Sequence, residues 1–154
     1  MQSYKPSRIG EFVKISFEQF KKDCKGTFGS EITLLRAWEQ IQLPKRKMDT
    51  CAGYDIRSPF SAKIMPESSL IIPTGLRVQL SEGWLMNYIP YYALKDGFKI
   101  KLNSVDGIID GYFFENSAHQ GHIMFRVRVE GNKPLNLAAG EVFAQGVFCP
   151  YGLV

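Results

Sequence analysis

Three short stretches of the chain alternate apolar with polar residues, and this alternation restricts the possible folds more than any other feature. The stretches are residues 76–80 (LRVQL), 98–102 (FKIKL) and 123–129 (IMFRVRV). Because successive side chains of a β-strand point to opposite faces, each stretch predicts a strand with one buried face. Turn residues such as Gly131-Asn132 separate the stretches, which favours an all-β sandwich or barrel. The sequence shows neither a glycine-rich phosphate loop nor alternating strands and helices, so a Rossmann or P-loop fold is excluded.

The first 50 residues carry helix signals instead. Ser16 followed by Gln19 is a capping box, in which each side chain bonds the other residue's exposed backbone N–H. Ile15 and Phe20 occupy the two positions of a hydrophobic staple at the same helix start. These signals predict a helix over residues 15–25.

A second helix is predicted to begin at Ser30 and to run toward Gln42, because Pro44 cannot continue it. We interpret residues 1–50 as a helical extension that packs on a β domain formed by residues 51–154. The two parts together make a single structural domain.

The composition is that of a soluble globular protein, 45% hydrophobic and 22% charged. The net charge of +4 arises within residues 1–50, and a short basic tract is more typical of a solvated surface than of a nucleic-acid interface. The sequence shows no apolar run of about 20 residues and no apolar signal segment. We therefore expect a cytoplasmic protein that binds neither nucleic acid nor a membrane.

The three cysteines are far apart and belong to no CxxC or Cys/His cluster; they are Cys24, Cys51 and Cys149. This spacing predicts reduced thiols rather than a disulfide framework or a zinc site. No residue is expected to bind a metal ion directly.

Three motifs, in order, resemble those of one enzyme family. They are residues 52–56 (AGYDI), 107–110 (GIID) and 140–146 (GEVFAQG). Together they resemble the trimeric dUTPases, of the phage-like and Gram-positive-like branch, and the likeness spans about residues 11–154. The resemblance implies an all-β, dUTPase-like distorted jelly roll that assembles as a homotrimer, with each site drawing on more than one subunit.

The resemblance implies a uracil-reading hairpin formed by the backbone of Gly107, Ile108 and Ile109, followed by Asp110 as the base that activates water. From spacing alone, the pair Asp110-Gly111 favours a simple hairpin turn, and the other motifs favour the site.

An aromatic residue after the aspartate stacks on deoxyribose in the family, and Phe113 stands at that position with Tyr112 beside it. The resemblance places Asp55 near the phosphates, with Mg²⁺ bound through them. Gln145 either bonds phosphate or satisfies its own strand.

The sequence departs from the family at residues 90–93 (PYYA), where the family has a Pro-Arg-Ser-Ser-like stretch that grips the triphosphate. Tyr91 then stands at the arginine position, and a tyrosine does not replace that charge. Lys95, Lys99 or Lys101 could supply positive charge instead. The printed sequence ends at Val154 without the family's glycine-rich C-terminal motif.

Two functions are consistent with these residues. The chain is either a Mg²⁺-dependent enzyme that hydrolyses dUTP to dUMP and pyrophosphate through Asp110, or a non-hydrolysing relative that binds a deoxyuridine nucleotide or a protein partner as a regulator or decoy. A dCTP deaminase shares the fold, but no second acid for that chemistry is evident.

Overall fold

A computed structural model describes residues 6–91, 99–115 and 118–154. The elements in chain order are β1 (Gly10–Lys14), α1 (Phe17–Cys24), α2 (Glu31–Glu39), β2 (Lys45–Arg46), β3 (Tyr54–Arg57), β4 (Ala62–Ile64), β5 (Ser69–Pro73), β6 (Leu76–Leu80), β7 (Trp84–Pro90), β8 (Ile100–Ser104), β9 (Ile109–Asp110), α3 (Gly111–Phe114), β10 (Met124–Val129), β11 (Leu135–Leu137) and β12 (Val142–Pro150). The described chain is therefore mainly strands, with two helices near its start.

The strands form four small antiparallel sheets. The largest has five strands in the order β2-β3-β12-β7-β9, and a three-stranded sheet has the order β5-β10-β8. Two further pairs join β1 to β6 and β11 to β4. Strands distant in sequence are neighbours in every sheet, so the chain crosses repeatedly between sheets around one core.

The alternating stretches form the walls of that core, as the sequence predicts. Leu76, Val78 and Leu80 of β6 are buried, and so are Phe125 and Val127 of β10. Residues from every sheet join them in one apolar cluster. Burying these apolar faces supplies the main driving force for the fold.

The first helix confirms one half of its predicted capping box. Ser16 caps α1 by accepting a hydrogen bond from the Gln19 N–H at 3.2 Å. The Gln19 side chain does not return the bond, because it donates to the Asp23 carboxylate at 3.0 Å. The Ser16 N–H instead donates to the Gln120 side chain at 3.3 Å, which ties the start of α1 to the loop before β10.

Residues before position 50 also contribute strands that the helix signals did not predict. β1 pairs along its whole length with β6, from Gly10 opposite Leu80 to Lys14 opposite Leu76. The N-terminal segment therefore completes a sheet of the β domain in addition to packing helices on it.

A second apolar cluster lies between the helices and the strands. Phe20 is fully buried there, and its ring stacks on Phe60 with centroids 5.7 Å apart. Trp38 of α2 packs nearby and donates its indole N–H to the carbonyl of Ile15 at 3.0 Å. The helices are thus fixed to the β domain by both apolar packing and directed hydrogen bonds.

A buried histidine joins α1 to the turn between β5 and β6. His122 has no exposed surface; its Nε2 accepts from the Gly75 N–H at 2.9 Å, and its Nδ1 lies 2.7 Å from the Asp23 carboxylate. Because Nε2 accepts, Nδ1 must carry the proton and donate to Asp23, which makes the imidazole neutral. Gly75 has φ of 74°, and a side chain there would collide with Ile41.

We call the contact of His122 with Asp23 and Gly75 the joint. Burial and hydrogen bonding shift the pKa values of its two titratable groups. Burial lowers the pKa of His122, and the neighbouring Asp23 opposes the shift without reversing it. Burial by itself would raise the pKa of Asp23, but hydrogen bonds from His122 and Gln19 outweigh it, so the net pKa is lowered. The joint is therefore stable as a neutral histidine beside a charged carboxylate.

No helix of the described residues is long and apolar enough to cross a membrane. The three cysteines are free thiols, as their spacing predicts. Burial raises the pKa of the Cys24 thiol to about 12, so this thiol stays protonated.

The joint predicts an acid-sensitive stability. The unfolded chain protonates its histidine near pH 6.5, whereas the folded chain resists protonation of His122 to a lower pH. The contribution of His122 is therefore complete above pH 6.5 and is lost as pH falls below it. The lowered pKa of Asp23 adds a further loss at still lower pH. We expect the free energy of unfolding, measured in urea, to fall between pH 7 and pH 5.

The variant His122→Asn should be less stable at pH 7 by about 1–3 kcal/mol, since it leaves buried partners unsatisfied. The free energy of unfolding of this variant should also fall less between pH 7 and pH 5 than that of the native protein. His119→Asn is the comparison variant: the His119 Nδ1 also lies 3.5 Å from Asp23, but its replacement leaves the buried His122 in place, so most of the decline should remain. Equal pH slopes for the native protein and His122→Asn would contradict this role.

Candidate active site

The GIID segment lies at an open edge of the five-stranded sheet. Ile109 and Asp110 form β9, which pairs with β7 and has no second strand partner among the described residues. The Ile109 side chain is fully buried, whereas Ile108 is 69% exposed. Gly107, with φ of 92°, allows the turn into the strand. Gly107 and Ile108 are exposed, so a ligand can reach the backbone at these two residues, whereas Ile109 as a whole, backbone included, has no exposed surface.

The simple hairpin turn that spacing alone favours at Asp110-Gly111 is not formed. The chain enters the short helix α3 instead, and Asp110 is its N-cap, with Oδ1 accepting from the Phe113 N–H at 3.1 Å. The other carboxylate oxygen, Oδ2, forms no hydrogen bond with the described residues. One oxygen therefore fixes the orientation of the carboxylate, and the second is available to another group.

The two aromatic residues after Asp110 point in different directions. Phe113 is 6% exposed and belongs to the main core, whereas Tyr112 is 83% exposed. The ring of Phe113 would have to leave the core to stack on a sugar, because apolar neighbours surround it. Tyr112 is therefore the aromatic side chain beside Asp110 that a ligand can reach directly.

A second polar group lies on the same sheet at β3 and β12. Asp55 and Gln145 face each other across these strands, and the Gln145 side-chain amide donates to Asp55 Oδ1 at 3.0 Å. A side chain at Gly53 would stand 3.1 Å from the Gln145 amide nitrogen. The glycine of the AGYDI motif thus leaves room for Gln145, which orients the Asp55 carboxylate. Neither alternative predicted for Gln145 included this bond.

The residue at the family's arginine position is turned toward the core. Tyr91 follows β7, its N–H donates to the Phe143 carbonyl at 3.0 Å, and its half-buried ring packs against the main core. The neighbouring Tyr92 and Ala93, and the candidate Lys95, lie outside the described residues. The described part of this segment therefore brings no positive charge to Asp55.

The other candidate lysines belong to a different sheet. Lys99 is exposed just before β8, and Lys101 within β8 forms an ion pair with Glu130 at 3.1 Å. β8 lies in the three-stranded sheet, whereas Asp55 lies in the five-stranded one. The fold does not place these lysines in the row of polar side chains that contains Asp55.

The two carboxylates share a sheet face but are far apart. Leu85 of β7 is opposite Asp110, and Ile89 of the same strand is opposite Gln145, four residues further on. With about 3.3 Å per residue along a strand and about 4.8 Å between strands, Asp55 and Asp110 are separated by on the order of 20 Å. This distance far exceeds a triphosphate, so one subunit cannot bring both carboxylates to the same nucleotide phosphates.

The residues fit a metal ion that arrives with phosphate. The described residues contain no group of three or more His, Cys, Asp or Glu side chains that could hold a metal ion. Asp55 offers one carboxylate, with one oxygen bonded to Gln145. Magnesium usually keeps several waters and is held by one or two carboxylates together with substrate phosphates, and a single oriented aspartate meets that need.

A match to a protein family and to one curated protein identifies the relationship. A family model described as dUTPase matches residues 39–153. The deoxyuridine 5'-triphosphate nucleotidohydrolase of Lactococcus lactis is 31% identical over 113 residues, which cover 72% of this chain and 74% of that protein. The matched region includes all three predicted motifs.

Solved structures confirm the predicted fold. The dUTPase of Streptococcus mutans superposes with a TM-score of 0.64 at 24% identity, over 93% of this chain and 97% of that chain. The dUTPase of Staphylococcus bacteriophage 80alpha, solved with dUpNHpp, gives a TM-score of 0.61 at 19% identity, over 73% and 78% of the two chains. The fold is therefore the predicted jelly-roll-like all-β fold, and phage proteins are among its structural neighbours.

The capping role of Asp110 predicts different effects for two substitutions. Asp110→Ala removes the acceptor for the Phe113 N–H and should lower the free energy of unfolding by about 1 kcal/mol. Asp110→Asn keeps an oxygen acceptor and should be close to the native protein in stability. Urea unfolding of both variants checks this, and equal stability of the Ala variant and the native protein would show that the cap contributes nothing.

Proposed function

Because the chain belongs to the dUTPase family, we propose that it hydrolyses dUTP to dUMP and pyrophosphate with water activated by Asp110. The observation that carries the proposal is the Asp110 carboxylate, with one oxygen fixed by a helix N–H and the other forming no hydrogen bond with the described residues. A carboxylate in this state can accept a proton at neutral pH.

The residues around Asp110 suit recognition of the base and sugar. Uracil presents acceptor, donor and acceptor groups along one edge, which complement backbone N–H and C=O groups. The exposed backbone of Gly107 and Ile108, just before β9, supplies such groups. Tyr112, exposed beside them, is the aromatic residue that we propose contacts the deoxyribose, and Phe113 supports it from the core.

Asp55 and Gln145 suit the phosphate end of the nucleotide. The Gln145 amide holds one Asp55 oxygen in place, which leaves the other oriented to bind a magnesium ion that accompanies the phosphates. That ion, when bound, supplies positive charge that offsets the charge of the triphosphate.

The separation of the two carboxylates supports a site shared between subunits. Since Asp55 and Asp110 of one chain lie on the order of 20 Å apart, the phosphates held near Asp55 of one subunit must meet Asp110 of another. We propose a homotrimer with three such sites. In a closed cyclic trimer, every chain pairs its Asp55 with the Asp110 of a neighbour.

A specific observation favours a second candidate, a protein that binds nucleotide without hydrolysing it. Tyr91 carries no charge where the family has arginine, and its ring packs on the core. The loss of one preorganised donor for developing charge typically slows catalysis by about 10²–10³-fold. The phage 80alpha dUTPase belongs to a group described as controlling transfer of virulence genes, so a regulatory role with a protein partner is the alternative.

The first test is pyrophosphate release from dUTP by the native protein and by Asp110→Asn. We expect release by the native protein and loss of at least about 10²-fold in the variant, because the amide cannot accept the proton. Both proteins should bind dUMP equally, since the base-reading backbone is unchanged. Tight binding of dUpNHpp without any pyrophosphate release would favour the non-hydrolysing alternative.

The second test concerns sharing of the site. Asp55→Asn and Asp110→Asn chains, each inactive alone, are co-expressed with different affinity tags and the mixed trimers are purified through both tags. If each site combines one chain's Asp55 with another chain's Asp110, every mixed cyclic trimer has one intact site, which is about a third of all sites. Pyrophosphate release should then return to about that fraction of the native rate.

Sites contained within one subunit would leave these mixtures inactive. Co-expression of two differently tagged Asp110→Asn chains is the matched control, since no arrangement of those chains provides an intact base. Multi-angle light scattering of each sample should give three times the chain mass of 17.5 kDa.

A further inference from the structure

Lys45 lies in the same cross-strand row as Asp55 and Gln145. β2 is the outermost strand of the five-stranded sheet, and its register places Lys45 opposite Asp55, while Asp55 is opposite Gln145 on its other side. Directly opposed residues of an antiparallel pair project from the same face, with Cβ atoms about 4.5–5.5 Å apart. Lys45, Asp55 and Gln145 therefore form a continuous polar row across three adjacent strands.

The ammonium group of Lys45 has no partner among the described residues. Asp55, its cross-strand neighbour, accepts from Gln145 instead, and Lys45 forms neither an ion pair nor a side-chain hydrogen bond. Two lysines, by contrast, form ion pairs: Lys21 with Glu31 at 3.2 Å, and Lys101 with Glu130 at 3.1 Å. Lys45 is thus an exposed positive charge held beside an oriented carboxylate.

Apart from Lys45, no described side chain of this row carries a positive charge that could bind a triphosphate. Asp55 is negative, Gln145 is neutral, and the row continues to Ile89, which is apolar. Tyr91, two residues after Ile89 and just beyond the end of β7, turns toward the core. In addition to the magnesium ion proposed at Asp55, Lys45 is the one cationic side chain of this row, among the described residues, that can contact a phosphate.

We propose that Lys45 is a phosphate-binding residue of this site and supplies, from the β2 side, the positive charge that Tyr91 does not supply from the β7 side. This inference rests on the proposed binding of dUTP at Asp55. Lysine acts as a compact point charge on a flexible stem, so Lys45 can follow a phosphate without a fixed bidentate geometry. Its ligand is the β- or γ-phosphate, because the base and sugar bind at the distant β9.

Calorimetry with Mg²⁺ and the non-hydrolysable analogue dUpNHpp tests the role directly. Lys45→Gln should weaken dUpNHpp binding by about 10- to 100-fold, as expected for loss of a charged hydrogen bond. It should change dUMP affinity by less than about twofold, since dUMP lacks the outer phosphates. Lys45→Arg keeps the charge and should stay close to the native protein.

Lys63→Gln is the matched control. Lys63 is an exposed lysine on β4, in a different sheet, and its replacement changes the net charge by the same amount. The difference between the Lys45 and Lys63 variants should shrink as salt is raised, because the interaction is with a partly solvated charge. Equal thermal unfolding midpoints would show that both variants fold normally.

The outcomes separate this inference from the proposed hydrolysis. Selective loss of dUpNHpp affinity in Lys45→Gln, in a protein that releases no pyrophosphate from dUTP, would support Lys45 and reject hydrolysis. Hydrolysis in the native protein with equal behaviour of the Lys45 and Lys63 variants would support hydrolysis and overturn the role of Lys45. Equal weakening of dUMP and dUpNHpp, or no binding of dUpNHpp by the native protein, would also overturn it.

Discussion

The pairing of β12 with a strand on each side determines the arrangement of the functional residues. This nine-residue strand bonds to β3 along one edge and to β7 along the other. The pairing brings three segments distant in sequence to adjacent positions: the AGYDI motif, the GEVFAQG motif and the segment that ends at Tyr91. Because antiparallel register fixes which side chains share a face, it also fixes Asp55 against Gln145.

The two ends of the same sheet carry different parts of the proposed nucleotide site. Its β9 end offers the exposed backbone of Gly107 and Ile108, and a carboxylate whose second oxygen forms no hydrogen bond with the described residues; these groups suit a base and a water molecule. Its β2 side offers Asp55 and Lys45, which suit phosphate and a metal ion. A rigid sheet cannot fold one end onto the other. In the proposed homotrimer, the β9 end of one subunit meets the β2 side of another at the same ligand.

Features that depend on local sequence are predictable here. Period-two alternation predicts β6, β8 and β10 because strand side chains alternate whatever their partners are. Ser16 and Ser30 predict helix starts because a cap bonds within its own first turn. The motifs predict the family and the approximate location of Asp110, Asp55 and Gln145.

Features that depend on tertiary contacts are not predictable in the same way. The pair Asp110-Gly111 favours a hairpin turn locally, yet α3 forms because it buries the Phe113 ring in the core. Gln19 has the spacing of a capping box, but its side chain forms a hydrogen bond with Asp23 instead of with the backbone N–H of Ser16. The register of β2 cannot be inferred from a two-residue strand, which has no period to count, so the sequence shows a basic tract but not that Lys45 faces Asp55.

The contacts between α1 and the β domain limit how far the chain can be shortened from its N-terminus and still fold. The family model begins at residue 39, after β1, α1 and nearly all of α2. A protein trimmed to that boundary would lose Asp23 and leave the Nδ1–H of His122 without its acceptor. It would also expose the free edge of β6 and open the space now filled by Phe20. The minimal folding unit is therefore set by these contacts, and it is longer than the region by which the family is detected.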